Sequence, residues 1–295
     1  VTGASRGIGA AIAKRLAKDG LHVVAVARSL DKLEQVVNEI KSEGGSAEPL
    51  ACDIADAKAL TETIEKVTET HGRLDVLVNN AGIMAVPLGR TADGFELQLG
   101  TNHLGHYALT GLVLPALLRA PQGRVVTVSS SAHRMARNRW DDPGWHTRRY
   151  RRWGAYARSK LANLLFVREL ARRAAEAGTA LVSVGAHPGY SSTHLVVATT
   201  EASGGRIGGP VMRASTRVLG QSDERGALPQ LYAATMPDVQ PGQYYGPEGP
   251  FELRGSPTLV GPSRAARDDD AARRLWDLSA ELTGVSYDWG AAPAG

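Results

Sequence analysis

The feature that most restricts this chain is a repeated alternation of short apolar runs with amphipathic segments. Residues 21–27 form an unbroken run of β-type side chains, the pattern of a strand buried on both faces. Residues 31–43 follow with apolar positions at helical spacing (Leu33, Val36, Val37, Ile40) behind the polar Ser29 and Asp31. The same alternation predicts strand 46–51, helix 56–71, strand 74–78, helix 91–118, strand 124–128, helix 155–177 and strand 180–185. Strands separated by helices of this length need right-handed crossovers. They imply an α/β fold, a doubly wound parallel sheet with helices on both faces. The tail continues with helix 224–235, a short strand 243–245, an irregular crossing segment 251–262 and helix 265–282. No linker-like composition interrupts the 295 residues, of which 43% are hydrophobic, so 1–295 is expected to be one domain around one substantial core.

Ligands of such sheets sit beyond the C-terminal strand ends. The polar and glycine-rich groups fall at that edge: the turn 2–9, Arg28, Asp53, 79–82, 129–131 and 187–189. In the turn, Gly3, Gly7 and Gly9 precede a helical pattern (Ile8, Ile12, Leu16). Glycines so placed let backbone N–H groups approach a pyrophosphate at a helix N-terminus. Val1 can be only the last residue of a strand that would stand at the sheet's centre. The first strand is therefore expected to be largely missing, and the sequence to be a truncated or mis-started form of a longer protein. A slot of that kind costs several kcal/mol, comparable to the whole stability of a domain.

Tyr156 and Lys160 stand one helical turn apart, where an ammonium can lower a phenol pKa and make it a usable proton donor and acceptor. Composition strengthens the pair. The chain has 27 Arg and 7 Lys, and the one lysine after Lys66 is Lys160. Arginine cannot shed its proton, so a lysine surviving among arginines suggests a chemical requirement.

Taken together, Thr2-Gly3-x-x-x-Gly7-x-Gly9, Asp53, Asn79-Asn80-Ala81-Gly82, Asn102, Ser130, Tyr156-x-x-x-Lys160 and Pro188-Gly189 resemble the short-chain dehydrogenase/reductase family from Thr2 to about Thr193. The stretches beginning at Asn102, Ser129 and Ser159 are most similar to its retinol-dehydrogenase and WW-domain-oxidoreductase branch. The resemblance implies a Rossmann-type NAD(P)-binding domain that interconverts an alcohol and a carbonyl by hydride transfer. Tyr156 would exchange the substrate proton, and Lys160 would lower its pKa and hold the nicotinamide ribose. Ser130 would bond the substrate oxygen, and Asn102 would position a water linking Lys160 to solvent. The cofactor residues it implies are Gly3, Ser5, Arg6, Gly7, Ile8, Gly9, Arg28, Asp53, Ile54, Asn80, Ala81, Gly82, Tyr156, Lys160, Pro188, Gly189 and Thr193. Arg28 after the second strand and Arg6 in the turn, with no acidic residue beside them in sequence, favour the 2′-phosphate of NADP over NAD. A regulatory protein that binds NAD(P) without turnover is the alternative. Loss of the tyrosine or the lysine would mark it, and both are present.

Residues 134–153 form an insertion between Ser130 and Tyr156, rich in Trp, Tyr and Arg. Its position favours a wall of the substrate pocket, and hence an apolar small-molecule substrate. A solvated flap and a nucleic-acid surface are the other readings, and the net charge of only +4 argues against the latter. Residues 190–222 are expected to form a substrate lid. His103, His106 and His133 have no ligand spacing with carboxylates or Cys52, so no metal is expected. A single cysteine suits a cytoplasmic protein, and no apolar run reaches the length of a membrane span. The apolar first half of helix 155–177 (Leu161, Leu164, Leu165, Phe166, Val167) suits either a homodimer interface or simple burial.

Overall fold

The computed structural model describes residues 1–190 and 221–290. The chain runs α1 (Gly7–Lys18), β1 (His22–Ala27), α2 (Leu30–Ser42), β2 (Ser46–Ala51), α3 (Ala57–His71) and β3 (Val76–Asn79). A single helical turn, Leu97–Leu99, and a π-helical segment, Gly100–Leu104, lead into α4 (Gly105–Leu118). Then come β4 (Arg124–Val128), α5 (Arg152–Glu176), β5 (Val182–Ala186), α6 (Asp223–Thr235), β6 (Tyr244–Pro247), β7 (Pro257–Leu259) and α7 (Asp269–Thr283). Capping chemistry sets several of these limits. Asp56 accepts from the N–H of Ala59 to open α3, and Asp268 accepts from Ala271 to open α7. Gly72 and Gly284, at φ +66° and +67°, close the same two helices.

β3, β4, β5 and β6 pair in parallel in that order, and β7 closes the edge antiparallel to β6. β1 and β2 form a separate parallel pair. Val1 and Thr2 bridge the two sheets. The Val1 ammonium donates to Val24 O (2.9 Å), Val26 N donates to Val1 O (2.9 Å), and Thr2 N donates to Val78 O (3.0 Å). The central strand position is thus held by two residues.

Strand side chains alternate between the faces, so each neighbouring pair divides between two cores. Ala25, Val78 and Val126 pack with α1, α2 and α6, through Ile12, Leu33 and Leu231. Val26, Leu77 and Val125 pack with α3, α4 and α5, through Leu60, Leu114 and Leu170. The expected helices on both faces are in place.

The expectations need correcting in two places. The helix expected from 91 starts at Leu97, because 91–95 form a turn with Gly94 at φ +85°. Segment 251–262 contains strand β7 rather than only irregular chain. On α5, Leu161, Leu164, Leu165, Phe166 and Val167 are at most 4% exposed within the chain itself. They serve its own core, which is the simple burial given as the second reading of that helix. Among the described residues, no helix is long and apolar enough to cross a membrane. Nearly all of the expected lid 190–222, with Thr193, lies outside the described residues.

Candidate active site

The glycine turn and the end of β3 dock on each other. The Thr2 hydroxyl accepts the N–H groups of Asn80 and Ala81, each at 2.9 Å, and Asn80 Nδ2 donates to Thr2 O at 2.9 Å. Gly3 stands at φ +68°, with Ala81 Cα 2.9 Å from where a Cβ would lie. At Gly9 a Cβ would fall 2.2 Å from Gly3 O, so the turn closes only around glycine. Gly7, at φ +60°, is open by contrast: a Cβ there would meet only the Asp223 carboxylate, 3.9 Å away.

Among the described residues, the N-cap position of α1 makes no side-chain cap bond. Arg6 stands there extended (φ −172°), and the first turn carries no acidic residue. The leading N–H groups of a twelve-residue helix thus remain available to an anion, and these residues fit a dinucleotide pyrophosphate. Ser5 is half-buried and Arg6 exposed beside them. The Ile8 and Ile54 side chains are buried in the two cores, so only their backbones can face a ligand.

Across the same sheet edge, Asn102 lies in the π segment and its amide is engaged at both ends. Oδ1 accepts from Ile83 N (2.8 Å), while Nδ2 donates to Ile83 O and to Ser159 Oγ, both at 2.9 Å. A Cβ on Gly82 would lie 3.2 Å from Asn102 Oδ1 and 3.5 Å from Lys160 Nζ, which places the three together. The Asn102 acceptors that can still hold a water are the second lone pair of Oδ1 and the main-chain carbonyl. One lone pair of that carbonyl already takes His106 Nδ1 at 3.0 Å.

Tyr156 and Lys160 lie on the buried face of α5. Lys160 Nζ donates to Val128 O (3.0 Å) and sits 5.9 Å from the centre of the Tyr156 ring. Burial lowers the Lys160 pKa to about 8. The Tyr156 phenol moves the other way from the expected lowering: burial raises its pKa, and a hydrogen bond from Ser130 opposes the rise. The reason is desolvation, since the phenol is buried on the inner face of α5. The neighbouring serines are placed differently. Ser129 Oγ bonds Lys160 O at 2.8 Å, and Ser131 is exposed.

At the end of β1, Arg28 lies 3.9 Å from the Asp53 carboxylate, both well exposed. A carboxylate therefore does stand beside Arg28, supplied by the next strand end rather than by the local sequence. At the end of β5, Gln221 Nε2 donates to Pro188 O (2.6 Å), and Gly189 adopts φ +69° where a Cβ would strike Leu253 O.

Sequence reasoning passed over Arg158, between the tyrosine and the lysine. It is 6% exposed and fastens the insertion to α5. Its guanidinium donates to the carbonyls of Arg139, Asp142 and Pro143 and lies over the rings of Trp140 (5.7 Å) and Trp145 (5.0 Å). Those ring faces are covered by this cation, not presented for stacking on bases. Trp153 differs: it is 48% exposed and meets the Tyr156 ring edge-on at 6.1 Å. An arginine locked between Tyr and Lys in a chain with a Trp-rich insertion was the available signal.

A doubly wound sheet with a glycine-turn helix N-terminus at one end, and buried Tyr and Lys with a half-buried Ser along the same edge, defines an oxidoreductase of the nicotinamide-binding class. Comparison with known proteins narrows the class. The family profile for short chain dehydrogenase matches residues 1–204. Human retinol dehydrogenase 13 is 36% identical over 290 residues, covering 97% of this chain and 84% of that protein. A crystal structure from Mycobacterium paratuberculosis superposes with a TM-score of 0.80 at 41% identity, covering 97% and 93% of the two chains. A metagenomic short-chain oxidoreductase in complex with NADP gives a TM-score of 0.57 at 26% identity, covering 81% and 91%. The chain belongs to the short-chain dehydrogenase/reductase family. It is an NAD(P)-dependent oxidoreductase acting between alcohols and carbonyls, in the retinol dehydrogenase branch.

Proposed function

We propose that this chain interconverts an apolar alcohol and its carbonyl with NADP as the preferred nicotinamide, through Tyr156, Ser130, Lys160 and Asn102. The observation that carries the reading is the Tyr156–Lys160 pair on the buried face of α5, with Nζ 5.9 Å from the phenol ring and beside Gly82 and Asn102 at the C-terminal edge of the sheet. The bound nicotinamide supplies or accepts the hydride. The protein's part is to stabilise the oxygen and manage its proton. Two hydroxyl donors aimed at a nascent alkoxide favour the transition state. A phenol kept protonated by burial is set to give its proton to that oxygen. Lys160, with its pKa near 8, can return the proton to Tyr156. The Asn102 carbonyl keeps one lone pair for a water on the way to solvent.

Trp153 supports an apolar substrate, because its exposed ring flanks Tyr156 and leaves an apolar surface beside the reacting oxygen. Arg6 and Arg28 support NADP. At 3.9 Å and well exposed, the Asp53 carboxylate holds Arg28 weakly and leaves it available to a 2′-phosphate. Cys52 is a free, buried thiol, which suits the cytoplasmic setting expected for the chain.

The test is NADPH oxidation against a panel of apolar aldehydes and ketones, with cofactor titration alongside. Wild type turns over at least one of them. Tyr156→Phe binds NADPH unchanged but loses roughly 100-fold or more in rate, in the range of a general acid. NADPH binds about tenfold more tightly than NADH, and Arg28→Ser narrows the ratio. Cofactor binding without turnover by any carbonyl returns the chain to the regulatory reading.

A further inference from the structure

The opposite edge of the sheet carries a cluster that the catalytic reading does not use. His22 opens β1, Ser46 and Glu48 stand in β2, and His71 closes α3. Because His22 pairs with Ser46, and Ser46 and Glu48 share a face of their strand, His22 and Glu48 emerge on the same side. The last turn of α3 adds His71 above them. His71 Nε2 lies 2.7 Å from Glu48 Oε1, and His22 Nε2 lies 4.0 Å from the same oxygen. The three atoms fall within 4.8 Å of one another, and the two imidazoles are 5.1 Å apart.

We propose that His22, Glu48 and His71 bind a divalent transition metal of zinc type, at a site remote from the nicotinamide edge. Three arguments support it. Two imidazoles and one carboxylate are a donor set that zinc takes, leaving a fourth position to water. Bonds of about 2.0–2.2 Å to a tetrahedral ion put donor atoms roughly 3.4 Å apart. The observed separations straddle that value, and all three side chains are exposed enough to close on an ion by rotation about their own bonds. Finally, His22 Nδ1 is held by Ser46 Oγ at 2.7 Å. That contact turns Nε2 toward Glu48, as the outer hydrogen bond of a ligating histidine does.

In the metal-free arrangement Glu48 serves His71 through one hydrogen bond. A bound ion would replace that bond, take the Glu48 oxygen and both Nε2 atoms, and clip α3 to the β1–β2 pair. Nothing in the site touches the residues assigned to hydride transfer, so this inference stands or falls apart from the substrate reading.

The experiment uses the full chain without a histidine tag, titrated with zinc chloride by calorimetry and by competition with a chromophoric chelator. One equivalent is expected to bind. His22→Ala and His71→Ala each weaken it at least tenfold, Ser46→Ala weakens it less, and basal turnover of the metal-free variants is unchanged. Zinc should raise the melting temperature of wild type and not of His22→Ala, since an ion that binds only the folded chain stabilises it by mass action. Absence of saturable binding would mean that the cluster is only a His71–Glu48 hydrogen-bonded clip. So would binding that His22→Ala and His71→Ala leave intact, and either outcome overturns the proposal.

Discussion

The buried imidazole of His106 joins Asn102 to Thr2. Its Nδ1 faces the Asn102 carbonyl at 3.0 Å, and its Nε2 faces the Thr2 hydroxyl at 3.1 Å. A carbonyl only accepts, so Nδ1 carries the proton, and Nε2 is an acceptor that shares the Thr2 hydroxyl hydrogen with Val78 O at 3.2 Å. That leaves the Thr2 oxygen free to accept from Asn80 and Ala81. One neutral histidine thus ties the glycine turn, the end of β3 and the π segment into a single unit.

Thr2→Val should loosen that unit. It strands the Ala81 N–H and one imidazole nitrogen, each worth about 1–3 kcal/mol when left unpaired in a buried site, while the Asn80 N–H keeps Val78 O as a partner. Urea denaturation should show a loss of roughly 2–6 kcal/mol for the two groups together, and NADPH affinity should fall with it. Thr2→Ser should restore both, because the hydroxyl returns.

Burial lowers the pKa values of both His103 and His106 to about 3, against an ordinary value of 6.5. Below pH 6.5 the unfolded chain takes up protons that the folded chain refuses, so stability falls as pH drops from about 6.5 toward 3. His106→Gln should be less stable at pH 7, yet lose less stability between pH 6.5 and 4. Melting curves across that interval test this, and equal slopes in the two proteins would contradict it.

Lys160 carries a stability cost of the same kind at higher pH. Its pKa is about 8 in the fold against 10.5 ordinarily, so the folded chain binds fewer protons between those values and stability rises with pH across them. Below pH 8 the buried charge costs about 3 kcal/mol. Lys160→Met should therefore be inactive but more stable than wild type at pH 7, by up to that amount, with the gap closing above pH 10. Paired urea curves at pH 7 and pH 10 measure it.

Arg158→Met should release the insertion. Three backbone carbonyls lose their donor and two Trp rings lose the cation over them, for a loss of roughly 3 kcal/mol. Limited proteolysis should then cut within 134–153 in the variant while sparing wild type, and carbonyl turnover should fall as Trp153 loses its support beside Tyr156.

Much of the fold was legible because its signals are local. Strand 21–27 and the helix built on Leu33, Val36, Val37 and Ile40 follow from periodicity, which backbone geometry imposes on any chain. The boundary errors fell where tertiary contacts override periodicity. Gly94 and the Thr91–Phe95 turn delay the helix expected at 91, and β7 exists only because β6 offers it an edge. The geometry of the site was legible at Gly3, Gly9, Tyr156 and Lys160, where backbone approach or helical spacing restricts residue type. At His106 and Arg158 it was not, because their partners, Thr2 and the 139–143 carbonyls, lie far from them along the chain.

By itself, the order of residues determined the alternation of strands and helices, the glycine turn and the pairing of Tyr156 with Lys160, all set by contacts within a few residues. The tertiary structure decided the rest. It spent the Ser129 hydroxyl on the Lys160 carbonyl, engaged the Asn102 amide with Ile83 and Ser159, set Asp53 beside Arg28, and raised rather than lowered the Tyr156 pKa. Those outcomes depend on burial and on hydrogen-bond partners from distant segments, and neither exists until the sheet has assembled.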